Sequence, residues 1–240
     1  MSQRQKPTLL SEHAVPPGEI EARSFAIIDR LIPVSDFAAD ELEIVKRIVH
    51  TTGDPEIVRH IRFHPRAIDA GAGALRCGAT VFADVKMVAM GINRQLAAKL
   101  GSQVVCLIEP ADLADEARAR SITRAAAGVL RVRSELAGAI VAIGNAPTAL
   151  LALLDLLDDG YPAPALIVGV PVGFVAAAEA KAELVRRDLP WVTLEGTRGG
   201  STIAAAIVNA LLKIADNPDL TIADNPDPKS RHKRLQDAPL

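Results

Sequence analysis

Aromatic residues are scarce in this sequence, and its positive and negative charges nearly balance. Aromatic side chains make up 3% of its 240 residues, and the formal net charge at pH 7 is -2. Proteins that bind single-stranded nucleic acid need aromatic platforms for base stacking, and proteins that bind duplexes or acidic membranes need an excess of basic side chains. We therefore expect neither nucleic acid nor an acidic membrane among the partners of this protein.

Cysteine is almost absent, and so are long apolar runs. Cys77 and Cys106 have neither CxxC spacing nor a nearby histidine cluster, so we expect buried, reduced thiols, as in a reducing cytoplasm. No apolar run reaches the roughly 18 residues of a membrane-spanning helix. Residues 1–17 are polar and lack the hydrophobic core of a signal peptide. The sequence thus predicts a soluble, cytoplasmic protein with no membrane partner.

Aliphatic residues, by contrast, are plentiful. With 49% hydrophobic and 23% charged residues, the chain has the composition of one large globular domain. We expect this single α/β domain to span residues 19–214. A flexible, proline-containing arm over residues 1–18 should precede it, and a flexible tail over residues 215–240 should follow it.

Short aliphatic runs alternate with helical segments through most of the chain. The predicted strands are Thr80–Ala83, Gln103–Ile108, Ala139–Ile143, Ala165–Val170 and Trp191–Leu194. The predicted helices between and after them cover residues 111–136, 147–157, 175–187 and 201–214. This order indicates an α/β fold: a mostly parallel sheet of about five strands with helices on both faces, plus an N-terminal helical segment. Ligands of such sheets bind beyond the carboxyl ends of the strands.

Residues 44–56 indicate the end of one helix and the start of another. Apolar residues recur there at spacings of three and four, and Gly53 occupies the position of a left-handed helix cap. Asp54 and Pro55 are typical of the first residues of the next helix. His50 falls in the last turn, where the helix dipole favours the imidazolium form. From its position alone, His50 either complements that dipole or acts as a proton donor.

Three glycine- and proline-containing loops follow predicted strands and open helices. They are Gly144–Thr148, Gly169–Phe174 and Gly196–Ser201. Small residues with free backbone amides at helix N-termini form anion sites. Glycine and proline also suit tight turns without any ligand, which explains any one loop. Three such loops at the same sheet edge favour a shared ligand with several negative groups.

The standard nucleotide and metal motifs are missing. Gly71, Gly73 and Gly78 have the wrong spacing for a dinucleotide loop and precede a strand, and no Walker lysine follows a glycine loop. His60 and His64 are four residues apart but have no carboxylate or cysteine partner in a recognisable pattern. We therefore interpret both as surface histidines and expect no metal site.

Arginines mark one face of the predicted helix over residues 111–136. Arg120, Arg124 and Arg131 lie opposite its apolar face. Such a face is usually solvated. If a ligand or a second subunit covered it, the guanidinium groups would clamp carboxylates.

A set of motifs between about Glu19 and Leu212 resembles a known family. In chain order they are Arg23-Ser24-Phe25, Val49-His50-Thr51-Thr52-Gly53-Asp54, Asp84 with Met87-Val88 and Gly91, Thr123-Arg124, Ile143-Gly144-Asn145-Ala146-Pro147-Thr148, Pro171-Val172-Gly173-Phe174-Val175 and Gly199-Gly200-Ser201. Together they are similar to precorrin-8X methylmutase and its cobalt-precorrin-8 counterpart. Each motif alone is weak, but the set is specific. The arm and tail have no counterpart in the family.

The resemblance implies an isomerase of cobalamin biosynthesis, active as a homodimer. Such an enzyme moves a methyl group between adjacent ring carbons of a tetrapyrrole and gives hydrogenobyrinic acid or its cobalt form. The resemblance assigns the catalytic histidine to His50 and substrate-holding positions to Ser24 and Arg124. The glycine loops supply the other substrate-binding candidates: Gly144, Asn145, Gly173, Gly200 and Ser201.

The chemistry that the resemblance implies needs no cofactor and no metal. In a sigmatropic 1,5-shift the migrating methyl group stays bound to the conjugated system, and protonation of a ring nitrogen lowers the barrier. Two alternatives remain open at this point. One is a nucleotide-dependent α/β enzyme, against which the missing fingerprints weigh. The other is a non-catalytic corrinoid-binding protein, which differs from the isomerase in forming no product.

Overall fold

The computed structural model describes residues 8–9 and 14–217 of the chain. Most of the predicted arm and nearly all of the predicted tail lie outside these residues. No helix in the described part of the chain is long and apolar enough to cross a membrane.

A six-stranded sheet with the order β1-β6-β5-β4-β2-β3 forms the centre of the fold. Its strands are β1 Ile61–Phe63, β2 Val81–Ala83, β3 Val104–Cys106, β4 Ile140–Ile143, β5 Leu166–Gly169 and β6 Trp191–Leu194. All neighbouring strands are parallel except β1 and β6, which pair antiparallel with Ile61 opposite Leu194. The predicted, mostly parallel α/β sheet is confirmed. Its sixth strand, β1, was missed because Arg62 interrupts the apolar run of its three residues.

Helices cover both faces of this sheet. They are α1 Pro17–Leu31, α2 Ala39–Thr52, α3 Ala67–Arg76, α4 Lys86–Gly91, α5 Arg94–Lys99, α6 Leu113–Ala119, α7 Arg124–Arg131, α8 Pro147–Asp158, α9 Ala177–Val185 and α10 Ser201–Asp216. Short 3-10 helices cover Val34–Asp36, Pro55–His60 and Arg133–Glu135.

Two large apolar clusters, one on each face of the sheet, form most of the core. The first contains residues of α1–α5 and α10, and the second contains residues of α7–α9. Alternate residues of β2 point to opposite clusters: Val81 and Ala83 belong to the first and Phe82 to the second. Strands that are buried on both faces read as continuous apolar runs, which is why the sequence located the central strands.

The prediction of a single long helix over residues 111–136 is wrong. The chain forms α6 and α7 instead, and Ser121 between them has a left-handed backbone conformation with φ of 53°. Thr123 then caps α7, because its hydroxyl accepts a hydrogen bond from the backbone N–H of Ala126 at 3.2 Å. A polar cap in the middle of an apolar periodicity therefore breaks the helix in two.

Two smaller predictions about side-chain environments were also wrong. Cys106 is buried as expected, but Cys77 is exposed where it follows α3. His64 is not a surface histidine, since its side chain is only 10% exposed. Its Nε2 lies 3.4 Å from Oδ1 of Asp188, and its ring packs edge-on against Trp191.

Candidate active site

His50 is fixed in the last turn of α2, as the sequence predicted. Gly53 ends this helix with φ of 65°, and its N–H donates to the carbonyl of Val49 at 2.8 Å. This left-handed cap suits glycine, which has no Cβ to clash. Asp54 then caps the following 3-10 helix by accepting a hydrogen bond from the N–H of Glu56 at 3.0 Å. The backbone that follows His50 is thus held by two successive caps.

The structure brings His50 and Ser24 together from neighbouring helices. Oγ of Ser24 in α1 lies 2.8 Å from Nδ1 of His50. The Phe25 ring meets the imidazole edge-on, with centroids 5.7 Å apart. Among the described residues, Nε2 of His50 has no hydrogen-bond partner. A hydroxyl can accept from Nδ1–H or donate to a bare Nδ1, so Ser24 orients the ring in either protonation state and leaves Nε2 for a ligand.

An open cavity of about 230 Å³ lies beside His50. Besides His50 and three small residues, its lining consists of Arg47, Thr51, Thr202 and Asn209. The sequence reasoning missed Arg47 and the two polar residues of α10. Helical spacing could have pointed to these residues, because side chains three or seven positions apart lie on the same helix face. Arg47 and His50 have the first spacing in α2, and Thr202 and Asn209 have the second in α10.

Arg47 combines several contacts at the cavity wall. Its Nη2 donates to Oε1 of Glu21 at 2.7 Å, and its guanidinium lies 5.3 Å from the centre of the Phe25 ring. The hydrogen bond from Arg47 lowers the pKa of Glu21, aided by Lys213. Nε of Arg47 is buried and has no hydrogen-bond partner among the described residues. The Arg47 side chain is 16% exposed and lines the cavity, where a guanidinium can bind an incoming carboxylate.

Asn209 ties α10 to the end of α4 at the same cavity. Its side-chain oxygen accepts from the N–H of Asn93 at 2.7 Å, and its Nδ2 donates to the carbonyl of Gly91 at 2.8 Å. A Cβ on Gly91 would lie 2.7 Å from Cβ of Ala205, so only glycine allows these two helices to approach this closely. Asn209 therefore shapes the cavity wall.

Asp84 accepts hydrogen bonds from the backbone amides that were expected to bind a ligand. This carboxylate is fully buried and accepts hydrogen bonds from three successive N–H groups, those of Gly144 at 3.2 Å, Asn145 at 2.8 Å and Ala146 at 2.8 Å. Although Asp84 precedes α4 by two residues, it does not cap that helix, which begins at Lys86 without a side-chain cap. Burial raises the pKa of Asp84, and the three N–H groups oppose that rise.

The other two glycine loops bind each other through their backbones. The N–H of Gly200 donates to the carbonyl of Val170 at 2.9 Å, and the N–H of Gly173 donates to the carbonyl of Thr197 at 3.1 Å. The expectation of free amides is therefore wrong for four candidates: Gly144, Asn145, Gly173 and Gly200. Buried backbone donors must find a partner, and here the protein supplies it.

The loops nevertheless meet as predicted, at the carboxyl edge of the sheet. A Cβ on Gly144 would lie 2.8 Å from Cα of Ser201, which is itself buried as the first residue of α10. Of the loop candidates, Asn145 is exposed and keeps its side-chain amide available. The loops form one packed unit whose backbone is satisfied internally, so any contact with a ligand falls to side chains.

The arginine face predicted for one long helix does not exist. Arg131 donates to Oδ1 of Asp112 at 2.9 Å and to Oε2 of Glu116 at 2.5 Å, and Arg120 also pairs with Glu116. The hydrogen bonds from Arg131 lower the pKa of both carboxyl groups. Arg124 is different, because it is exposed at the start of α7 and has no ion-pair partner among the described residues.

No group of three or more histidine, cysteine, aspartate or glutamate side chains in the described ranges is arranged to hold a metal ion.

Fold and site together define a class of protein: an α/β domain whose parallel strands end at a packed loop assembly, with one serine-bound histidine at an open cavity. A model of the precorrin-8X methylmutase family matches residues 19–214, so the chain belongs to that family. The family expected from the motifs is confirmed.

Curated relatives and a solved structure agree with this assignment. The chain is 42% identical over 203 residues to a cobalt-precorrin-8 methylmutase of Priestia megaterium, covering 85% of this chain and 90% of the relative. It is 43% identical over 194 residues to a precorrin-8X methylmutase of Pseudomonas aeruginosa, covering 80% and 93%. The structure of precorrin-8X methylmutase from Thermus thermophilus matches with a TM-score of 0.75 and 37% identity, covering 83% of this chain and 98% of that one.

Proposed function

We propose that this protein is an isomerase of cobalamin biosynthesis that converts precorrin-8X, or cobalt-precorrin-8, by moving one methyl group between adjacent ring carbons. Membership of the methylmutase family over residues 19–214 supports the reaction. The observation that carries the mechanism is His50, held at Nδ1 by Ser24 and open at Nε2 beside a cavity.

In the proposed mechanism His50 acts as a general acid. As imidazolium it donates Nδ1–H to Ser24 and Nε2–H to a ring nitrogen of the tetrapyrrole. The protonated ring system then undergoes the 1,5-shift, in which the carbon–methyl bond breaks at one ring carbon and forms at its neighbour. The proton returns to His50, so atoms and charge balance. General acid help of this kind contributes about 10²–10⁴-fold to a rate.

Side chains at the carboxyl edge of the sheet would hold the acetate and propionate groups of the substrate. We assign this role to Ser24, Arg124, Asn145 and Ser201, and we add Arg47 because its guanidinium lines the cavity beside His50. Gly144, Gly173 and Gly200 then serve the site through the close packing of the loops. The exposed Met87 and Met90 side chains of α4, which are 67% and 74% exposed, provide apolar contact for the macrocycle.

The direct test is incubation of the purified protein with precorrin-8X and, separately, with cobalt-precorrin-8, while the visible spectrum is recorded. Appearance of the product chromophore is expected in at least one of the two incubations. Binding of the tetrapyrrole without conversion would instead establish a corrinoid-binding protein. Absence of both would refute the assignment of this substrate class.

Arg124→Ala should weaken substrate binding more than it slows the bound reaction. A carboxylate clamp acts on ground state and transition state alike, so its loss raises KM and leaves kcat nearly unchanged. A charge-assisted contact of about 1.5–3 kcal/mol corresponds to roughly a 10- to 150-fold increase in KM. Steady-state kinetics would measure this, with the exposed Arg118→Ala as the matched control. Equal KM values for the two variants would indicate that Arg124 is a solvated surface residue with no part in substrate binding.

We also propose that the protein is a homodimer that works in the cytoplasm, where its two unpaired cysteines would stay reduced. The arginines of α6 and α7 no longer support a dimer, since two of the three are paired within the chain. Support comes instead from the loop after β5, where Phe174 is 93% exposed and Val175 is 83% exposed. Contiguous exposed apolar side chains mark interaction sites, and two-fold dimers are the commonest oligomers.

Phe174→Ser should therefore shift the protein toward the monomer. Light scattering across a dilution series would give the dissociation constant, which we expect to rise at least about tenfold when a large aromatic contact is lost. Val185→Ser, which removes a less exposed apolar side chain from α9, is the control. A monomeric wild-type protein, or a Phe174→Ser dimer as tight as the wild type, would contradict the proposal.

A further inference from the structure

Lys181 is a buried lysine that no ion pair explains. It lies in the middle of α9 with 1% of its surface exposed. Its Nζ donates to the carbonyl oxygen of Arg198 at 2.5 Å, and no carboxylate of the described residues forms a salt bridge with it. Burial lowers the pKa of Lys181 to about 8. Lysine is almost never fully buried without a partner, so this side chain requires an explanation.

The partner of Lys181 belongs to the loop assembly described above. Arg198 lies in the loop between β6 and α10, and its neighbour Gly199 has no room for a side chain. A Cβ on Gly199 would lie 2.2 Å from the carbonyl oxygen of Val170. The loop is therefore pressed against the end of β5, while the ammonium group of Lys181 holds the Arg198 carbonyl from inside the protein.

The side chain of Arg198 extends from the loop to the helix that carries His50. Its Nη1 donates to Oδ2 of Asp54 at 2.7 Å. Asp54 immediately follows the Gly53 cap of α2, and its N–H donates to Oγ1 of Thr52 at 3.3 Å. Both the carboxylate and the backbone of Asp54 are thus anchored at the end of the helix whose last turn contains His50.

This chain of contacts connects the two faces of the sheet. Residues of α9 belong to the apolar cluster on one face, and residues of α2 belong to the cluster on the other. The Arg198–Asp54 ion pair itself is 46% and 39% exposed. An ion pair this exposed adds little to folding stability, so its effect should be on the placement of α2.

We infer that Lys181 is a positioning residue for the active site, acting through the Arg198 carbonyl and the Arg198–Asp54 ion pair to fix the last turn of α2. The role of the positioned turn in methyl migration rests on the function proposed above. The coupling between Lys181 and the His50 ring is a property of the protein itself and can be measured without substrate.

Lys181→Met is the informative variant, because methionine is flexible and unbranched, can occupy much of the buried space that Lys181 fills and has no side-chain N–H donor. We expect kcat at saturating substrate to fall about ten- to a hundredfold, the usual cost of a slightly misplaced catalytic group, with little change in KM. Arg198→Met should lower kcat to a similar extent while its melting temperature stays near that of the wild type. The double variant should be no slower than the slower single variant, because both substitutions break one chain of contacts.

Leu184→Ala is the matched control. It removes a fully buried side chain from the same helix and should lower the melting temperature at least as much as Lys181→Met, without touching Arg198. Unchanged kcat is expected for Leu184→Ala. The NMR signals of the His50 imidazole, recorded on free protein, should shift or broaden in Lys181→Met and in Arg198→Met but not in the control.

The experiments distinguish a failure of the proposed function from a failure of the positioning role of Lys181. Wild-type protein that fails to convert either tetrapyrrole would refute the proposed function, while shifted His50 signals in Lys181→Met would still support the positioning role. Wild-type-like His50 signals in Lys181→Met, or a kcat no lower than that of Leu184→Ala, would overturn the inference. A double variant in which the two losses multiply would also overturn it.

Discussion

His50→Ala is expected to lose about 10²–10⁴-fold in the single-turnover rate of methyl migration, because the substitution removes the proton donor and leaves the loop assembly intact. His50→Asn should fail similarly, since an amide can hydrogen-bond but cannot deliver a proton. Tight product binding should persist in both variants, because Arg124 and the other polar side chains remain.

The measurement is a single-turnover assay at saturating precorrin-8X, followed by product absorbance. His60→Ala, a half-buried histidine outside the cavity, is the control and should keep the wild-type rate. The single-turnover rate of Ser24→Ala should fall between those of His50→Ala and His60→Ala, because this substitution lets the imidazole ring rotate but keeps the proton donor. Near-normal turnover by His50→Ala would mean that the histidine only caps its helix and that the enzyme acts by shaping its substrate.

Asp84→Ala is expected to cause the largest loss of stability, about 3–5 kcal/mol in the free energy of unfolding. Three backbone N–H groups would lose their acceptor inside the core, and each unsatisfied buried donor costs about 1–3 kcal/mol. Urea denaturation would measure the loss. Asp115→Ala removes an exposed aspartate and should change the free energy of unfolding by less than about 0.5 kcal/mol. If Asp84→Ala were as stable as Asp115→Ala, the loop after β4 would keep its conformation without the Asp84 carboxylate.

The pH dependence of stability offers a second view of Asp84. Burial raises the pKa of this carboxyl group above its ordinary value of 3.8. The folded state therefore holds the Asp84 proton to higher pH than the unfolded state does. As the pH rises from about 3.8 through the raised pKa, ionisation of Asp84 should lower the free energy of unfolding. Asp84→Asn, which cannot ionise, should lack this decrease, and a comparison of the two pH profiles would detect it.

The sequence located the parts of this protein whose local pattern agrees with their packing. The Gly53 cap, the strands buried on both faces and the Ser24–Phe25 and His50 motifs all appear where expected. It failed where a short polar signal outweighed a longer apolar one, as at Thr123, or where a charged residue interrupted a short strand, as Arg62 does in β1. Helical spacing from His50 would have found Arg47.

The expectation that the loop amides are free was wrong for a reason that the residues of the loops do not reveal. Glycine loops at helix N-termini look alike whether a ligand or another part of the chain accepts their hydrogen bonds. The acceptor Asp84 is 60 residues away from Gly144 along the chain, and parallel strands β2 and β4 bring it there. Contacts of this range depend on the order of strands in the sheet, which the alternation of elements leaves open.

The internal pairing of the loop backbones has an evolutionary consequence. Glycines, carbonyls and the Asp84 carboxylate make a rigid frame that is complete without any ligand. In the proposed site, recognition is then left to surface side chains such as Arg124 and Asn145, which single substitutions can exchange while the frame stays intact. A lineage could in this way change which peripheral carboxylates or amides of a macrocycle it accepts. Selection of altered specificity should accordingly enrich substitutions at these exposed positions and avoid the frame.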